Sequence, residues 1–410
     1  MGKKTVAVIG AGVVGVSTAY ALARNGYNVI VVDARSDAGR GASAGNAAQL
    51  SYAYGDAMSS PALMRQLPAV FLNRDPAMRA KLQLSPHFLL WGMRFLLNGT
   101  QARWRANTRS ILELADLSRR EMEALLPLVD LDFSFRPAGK LHLFADDEGF
   151  ARARAGVEMK RGLGLVQHMI SRDAAIGIEP ALQGFKSPIA GAIHTPADAV
   201  GDAAAYCRNL LAHIEKQYGV TVLWGAQVTG FETNTGALRS VTFKERQNLL
   251  VDKAVLAAGP EAIALAGSVA ETRKIWPVRG YSLTIPRPEN APQVSLTDVK
   301  RKLAFASIGN RFRVAGLADV VPVEHGFAHE RFRVLQQSAC EVFPDLFAQN
   351  AEGGSQWSGT RPMTPSSVPI IQRSKHIEGL YLNLGHGMLG WTLALGAART
   401  IADMFVHDHE

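Results

Sequence analysis

Apolar and polar positions fall into distinct blocks along this chain, and the first block is the most regular. Thr5-Val-Ala-Val-Ile is a continuous apolar run of strand length, Gly10-Ala-Gly-Val-Val-Gly15 is a glycine turn, and Val16 to Arg24 reads as a helix that Gly26 is placed to end. Asn28-Val-Ile-Val-Val-Asp33 reads as a second buried strand that finishes on an acid. In that order the glycines acquire a physical reason. Gly10 permits a tight turn, Gly12 lets backbone approach a pyrophosphate, and Gly15 lets the helix pack on the strand. The helix N-terminus, which Val13 and Val14 lead into, offers amides and a partial positive charge. Asp33 is spaced to accept both ribose hydroxyls and to repel a 2′-phosphate, with Ala34 and Arg35 beside it.

A polar, small-residue stretch from Arg35 to Gln49 leads into Ser51-Tyr-Ala-Tyr54, and a long helical region is expected from Pro61 to Leu126. Pro137 to Phe144 alternates as a strand should, and Glu158 to Leu163 returns to helix. Gly280 to Ile285 and Arg311 to Ala315, separated by a loop at Pro286 to Pro292, suggest an antiparallel sheet. Between these, Asp202 to Gln217 reads as an amphipathic helix, and Val220 to Leu223 and Val251 to Gly259 as strands that resume the nucleotide domain. Near the end, Leu380 to Leu384 is a strand, Gly385-His-Gly-Met-Leu-Gly390 a turn, and Trp391 to Phe405 a helix. A second helix N-terminus suits a flavin, whose reduction places negative charge on its N1 and C2 carbonyl region. The same turn also fits a second βα unit that merely closes the sheet, and His386 within it fits either a hydrogen-bonded structural role or a chemical one.

Composition narrows the picture only in part. At 410 residues the chain is long enough for two or more domains, and it contains no fixed-period repeat or low-complexity tract. Its net charge of +8 suits acidic substrates, an anionic cofactor, a membrane surface or nucleic acid. No stretch interleaves lysine or arginine with aromatics as a nucleic-acid stacking platform would, so no nucleic-acid partner is expected and a flavin domain acting on modified tRNA is a remote alternative. Lys3-Lys4 before an apolar run imitates a secretory signal, but the run continues into a complete nucleotide-binding unit. No apolar stretch reaches the roughly 18 residues a membrane span requires. Two separated cysteines, Cys207 and Cys340, fit a reducing cytosol and form no metal-ligand cluster. The expected location is therefore the cytoplasm. Pro86-His-Phe-Leu-Leu-Trp-Gly-Met-Arg-Phe-Leu-Leu97, followed by Arg103, Arg105 and Arg109, fits either a core helix or one lying peripherally on an anionic membrane, here the cytoplasmic face of the inner membrane.

Five segments together resemble the D-amino acid oxidase-like flavoproteins, and most closely the bacterial D-amino acid dehydrogenases. They are Gly10 to Gly15 with Asp33, Ser43-Ala-Gly-Asn-Ala-Ala-Gln49, Pro277-Val-Arg-Gly-Tyr-Ser-Leu-Thr-Ile-Pro286, Trp357-Ser-Gly-Thr-Arg-Pro-Met-Thr-Pro365 and Leu384-Gly-His-Gly-Met-Leu-Gly-Trp-Thr392. The resemblance implies an α/β fold: a Rossmann-like FAD-binding domain with a discontinuous α+β substrate domain built on an antiparallel sheet. The implied segments are 1–52, 195–275 and 355–410 for FAD binding, and 53–194 and 276–354 for the substrate domain. The chain departs from the family at Pro365-Ser-Ser, where Pro-Asp-Gly is usual, at Gln372, where glycine is common, at Met388, where threonine is usual, and in the added Ala44-Gly45-Asn46 pattern. These departures leave the identity of the amine open.

What the resemblance implies about chemistry is oxidative deamination of D-amino acids, D-proline and cis-4-hydroxy-D-proline among the candidates, by hydride transfer from Cα to flavin N5. The electrons would pass to a quinone or another respiratory acceptor; the alternative is an O2-using oxidase of glycine or sarcosine. Such a reaction needs positioning more than acid or base machinery. An arginine holds an α-carboxylate at two points, and Arg361 matches the family's Arg-Pro motif. Tyr281, on the sheet over the flavin, is a candidate to reach the carboxylate or close the pocket, with Tyr52 and Tyr54 as further substrate-binding candidates and His386 as a further catalytic one. The implied FAD-binding set adds Ser43, Asn46, Ala47, Ala48 and Gln49 near the flavin's reactive edge, Val228 near the adenine, Ala258 and Gly259, and the turn Gly385, His386, Gly387, Met388, Leu389 and Gly390.

Overall fold

The computed structural model describes residues 3–321, 329–347 and 354–407. The apolar runs that open the chain form the middle of a six-stranded sheet whose spatial order is Ile370–Arg373, Leu380–Leu384, Lys253–Leu256, Thr5–Ile9, Asn28–Val32, Thr221–Leu223. All neighbours are parallel except the antiparallel Ile370–Arg373 edge. Val6 to Ile9 are buried on both faces, which explains why they read as an unbroken apolar run rather than an alternating one. Val6 and Val8 face a core made with the helices Val13–Arg24, Ala203–Tyr218 and Gly390–His407, whereas Ala7 and Ile9 face a three-stranded sheet over Val228–Asn234, Ala237–Phe243 and Leu249–Leu250.

A second, nine-stranded sheet runs Ser355–Met363, Trp276–Pro286, Arg311–Val320, Leu303–Ile308, Ser295–Asp298, Lys140–Phe144, Gly191–Thr195, His168–Ile170, with Met78–Ala80 added against Arg311–Val320. It is mixed rather than purely antiparallel, because Ser295–Asp298 runs parallel to Lys140–Phe144 and Met78–Ala80 runs parallel to its neighbour. Strands that arrive from distant parts of the chain enter in either direction. Ser355–Met363 pairs along nearly the whole of Trp276–Pro286. This strand thus belongs to the nine-stranded sheet, although it lies within the 355–410 segment expected for FAD binding.

The helical region expected from Pro61 to Leu126 is three helices, Pro61–Phe71, Pro86–Asn98 and Gln101–Leu125, interrupted by the Met78–Ala80 strand. Each begins at a hydroxyl cap: Ser60, Ser85 and Thr100 accept the amides of Leu63, Phe88 and Arg103. Proline follows the cap in the first two, where its missing N–H leaves nothing unpaired.

Candidate active site

The dinucleotide end is built from close backbone approaches. Gly10 has φ 112°, and a Cβ there would stand 2.5 Å from the Ala257 carbonyl oxygen; a Cβ at Gly15 would stand 1.8 Å from the Gly10 carbonyl oxygen. Neither position admits a side chain. Gly12 caps the Val13–Arg24 helix with no side chain of its own, while the Val13 amide donates to Ser43 Oγ at 3.2 Å. Asp33 is fixed at the end of its strand, its two oxygens accepting the Ala11 and Arg35 amides at 2.7 and 2.8 Å. Ala34 is exposed and the Arg35 side chain pairs with Glu261. Gly259, at φ 57°, follows Ala258 directly above the Gly10 contact, and Val228 lies half-buried opposite Phe243 in the three-stranded sheet.

The second glycine turn is equally constrained. Gly385 and Gly387 have φ 76° and 54°, and a Cβ at either would meet Thr364 Cγ2 at 2.5 Å or Met363 Sδ at 2.6 Å. His386 between them is buried, its Nε2 has no hydrogen-bond partner, and burial lowers its pKa to about 3, so the imidazole is neutral. Met388 is exposed, Leu389 packs beside Ala57 and Ile111, and Gly390 opens the last helix. A helix N-terminus whose cap residue has no side chain, a carboxylate held at the adjoining strand end, and a second turn with an unpartnered imidazole nitrogen together fit a flavin dinucleotide.

Ladder register decides what the nine-stranded sheet shows to this end. Residues directly opposite share a face, as do residues two apart on one strand. Arg361 opposes Val278, Gly359 opposes Gly280, and Trp357 opposes Ser282. The same face continues through Ala315 opposite Ser282 and Arg313 opposite Thr284. Arg313, buried, donates to Thr284 Oγ1 and to the Asn46 carbonyl, tying this face to the 43–49 loop. Within that loop Ala48 has φ 58° and its amide donates to Asn46 Oδ1, while Ala47 lies between them. Gln49 is an anchor: its amide group donates to the Leu296 and Phe305 carbonyls of the sheet. Arg361 Nη1 donates to the Leu317 carbonyl at 3.1 Å, and no carboxylate pairs with it among the described residues. Burial lowers its pKa to about 10, which leaves it a cation at neutral pH.

The tyrosines separate from this group. Tyr281 is adjacent in sequence to Gly280 and so points to the opposite face, where its hydroxyl donates to Asp319 Oδ2 at 2.8 Å beside the buried Arg331–Asp319 ion pair and its ring meets Phe332 edge-on. The expected role of Tyr281 against the substrate fails for this reason. Tyr52 is buried in the core of the six-stranded sheet's helical side. Tyr54 stacks on His142 with ring centroids 3.8 Å apart, and Lys140 and Lys160 lie over the same ring. His142 opposes Thr297, which opposes Ala304, which opposes Ala315. Four strand spacings of about 4.8 Å each therefore separate Tyr54's partner from Ser282. Neither Tyr52 nor Tyr54 joins Arg361.

Arg313, Ser282 and Trp357 are the residues of this face that sequence reading passed over. The alternation within 276–286 carries a signal for Ser282, but which residue of a distant strand stands opposite it is not written in either segment.

A phosphate cradle on a largely parallel sheet, facing a second sheet that presents a half-buried cation, defines a nucleotide-dependent oxidoreductase. The chain matches the FAD dependent oxidoreductase family over residues 5–404 and belongs to it, so its cofactor is FAD. It is 37% identical over 408 residues to D-amino acid dehydrogenase 2 of Ralstonia nicotianae, covering 97% of this chain and 96% of that protein. It is 35% identical over 401 residues to D-amino acid dehydrogenase 2 of Pseudomonas aeruginosa, covering 97% and 94%. Among solved structures, glycine oxidase from Geobacillus kaustophilus superposes with a TM-score of 0.75 at 18% identity, covering 99% of this chain and 95% of that one. L-proline dehydrogenase from P. horikoshii gives 0.70 at 18%, covering 99% and 94%. These two likenesses establish the fold.

Proposed function

We propose that this protein oxidatively deaminates D-amino acids and passes the electrons to a quinone. The observation that carries the reading is Arg361, a half-buried guanidinium that no carboxylate among the described residues contacts, on the sheet face tied to the 43–49 loop. A partly desolvated cation that makes no ion-pair contact of its own is costly, and a substrate α-carboxylate supplies that contact. The relatives named D-amino acid dehydrogenase support the amine and its handedness. Bound FAD supplies the two-electron acceptor.

The chain's own residues then divide the work. Gly10, Gly12 and Gly15 admit the pyrophosphate and Asp33 holds the ribose; the 385–390 turn offers backbone and the neutral His386 to the ring system. Arg361 clamps the carboxylate and so fixes which face of Cα is presented. The substrate amine must be neutral to lose its α-hydrogen as hydride; the resulting imine is hydrolysed by water to the keto acid and ammonia. The neutral His386 acts here as a hydrogen-bonding group rather than as a charge.

The peripheral membrane contact gains a surface. The Pro86–Asn98 helix buries Phe88, Trp91 and Phe95 but leaves Leu89, Leu90, Met93, Leu96 and Leu97 exposed, and Phe71, Leu72, Leu82 and Leu84 are exposed in the segments before it. The helix thus has one apolar side in the core and another exposed to solvent, which supports a peripheral contact. Among the described residues no helix is long and apolar enough to cross a membrane. Peripheral docking on the cytoplasmic face would bring the reduced enzyme to a quinone.

The test is a screen of D- and L-amino acids, D-proline, cis-4-hydroxy-D-proline and N-methylglycine with an artificial electron acceptor, with hydrogen peroxide measured in parallel. Dye reduction by D-amino acids without peroxide supports the dehydrogenase. Peroxide formation from glycine or sarcosine replaces it with the oxidase reading.

A further inference from the structure

The strand that carries Arg361 is the outer edge of the nine-stranded sheet, and its last residue, Met363, makes three contacts at once. Its main chain forms an antiparallel bridge with His386 of the second glycine turn. Its side chain lies over Gly387, where a Cβ would stand 2.6 Å from Sδ and 3.2 Å from Cε. Its carbonyl accepts the Trp91 indole N–H at 3.0 Å, in a buried bond that reaches across from the Pro86–Asn98 helix. Thr364, the next residue, covers Gly385 in the same manner, with Cγ2 2.5 Å from where that Cβ would be. Two residues of strand span about 7 Å, so this short segment carries Arg361 at one end and the contact with the turn at the other. Trp91 holds the second end from outside the sheet. It is itself enclosed: it is buried, its ring stacks on Phe95 with centroids 5.1 Å apart, and it lies 6.4 Å from Trp276, the residue opposite Met363 in the ladder. Removing the indole N–H alone would leave a buried carbonyl unpaired, a cost that a shift of the segment relieves.

We propose that Trp91 is a positioning residue: its indole N–H, through the Met363 carbonyl, fixes the separation between the Arg361 guanidinium and the 385–390 turn, and hence how Cα of a clamped amino acid meets the flavin. The proposal rests on Arg361 as the carboxylate clamp and on that turn as the seat of the flavin. Trp91 acts only through Met363 and takes no part in the chemistry. A misplacement of about 1 Å costs a reaction of this kind about a hundredfold, so the smaller shift that one lost hydrogen bond allows is expected to cost about tenfold.

Trp91→Phe removes the N–H and keeps an aromatic body. Benzothienylalanine incorporated at position 91 keeps the bicyclic shape as well, and so isolates the bond even where the phenylalanine variant folds poorly. Phe88→Leu is the packing control, because Phe88 is buried in the same aromatic cluster, edge-on to Trp276 at 5.0 Å, and its side chain has no donor for Met363. Two measurements are made on each holoenzyme: the visible circular dichroism of the resting flavin, and flavin reduction by D-alanine in stopped flow without an acceptor. With the N–H removed, the limiting reduction rate should fall by about tenfold while the apparent dissociation constant for D-alanine moves by less than about twofold, the split expected when orientation rather than binding is lost. The flavin dichroism should change with it. Phe88→Leu should keep the wild-type spectrum and a reduction rate within about twofold of the wild type. A benzothienyl enzyme that keeps either the wild-type rate or the wild-type spectrum, or a Phe88→Leu enzyme that reproduces both changes, would overturn the role of the bond. A wild type whose flavin no D-amino acid reduces removes the reading beneath it instead.

Discussion

The guanidinium of Arg361 occupies the space into which a side chain at Gly280 would grow, with Nη2 2.3 Å from the ideal Cβ position. The position of the guanidinium is therefore set by a glycine on the neighbouring strand as much as by the arginine. Gly280→Ala should push the guanidinium aside and lower kcat/KM by about a hundredfold, since displacement of a positioning group by about 1 Å has that effect. Flavin content measured by absorbance should stay near wild type. A fully active Gly280→Ala enzyme would show that the guanidinium has no fixed position to lose.

Arg361→Lys should be nearly as impaired as Arg361→Ala, because an ammonium cannot reproduce a two-point grip on a carboxylate. Both should lose roughly 3 kcal/mol of transition-state stabilisation, on the order of a hundredfold in kcat/KM. Steady-state dye reduction decides it, and wild-type kinetics in the lysine variant would remove Arg361 from the site.

Asp33 accepts the Ala11 and Arg35 amides and is the acid expected at the ribose. Asp33→Ala should weaken FAD binding by about 1.5 to 3 kcal/mol, the worth of charge-assisted hydrogen bonds. The visible absorbance retained after gel filtration is the readout. An alanine variant as yellow as the wild type would place the ribose elsewhere.

His386 makes stability depend on pH in a defined direction. Burial lowers its pKa from 6.5 to about 3, so between those values the unfolded chain binds more protons than the folded one. Its contribution is complete above pH 6.5 and is lost as pH falls toward 3. Thermal unfolding followed from about pH 4 to pH 7 should show a shallower dependence in His386→Asn than in the wild type. Parallel curves would mean that the imidazole takes up its proton as readily in the folded state as in the unfolded one.

The exposed leucines and methionine of the Pro86–Asn98 helix should hold the protein on phosphatidylglycerol liposomes in flotation at low salt, and only in part at high salt. Screening weakens the basic contribution and leaves the apolar one. Leu89→Gln/Leu96→Gln, at two exposed positions of that helix, should release it at both salt concentrations. Protein that never floats would discard the membrane surface and leave the flavin chemistry as it stands.

Local patterns were enough for the nucleotide end. Gly10, Gly12, Gly15 and Asp33 act through backbone within one βαβ unit, so their spacing along the chain is also their spacing in the fold; the 385–390 turn is legible for the same reason. The substrate face is different. Arg361 was singled out by its motif, yet its neighbours Ser282, Arg313 and Trp357 come from strands far apart in the chain, and only the register of the nine-stranded sheet brings them together. Register also removed Tyr281, since a single step along a strand reverses the face, and it set Tyr54 several strands away from the clamp. The sequence by itself determined the cofactor cradle, because that geometry is local. Tertiary structure decided which side chains share the face with Arg361, because cross-strand pairing is a property of two segments at once and neither carries it alone.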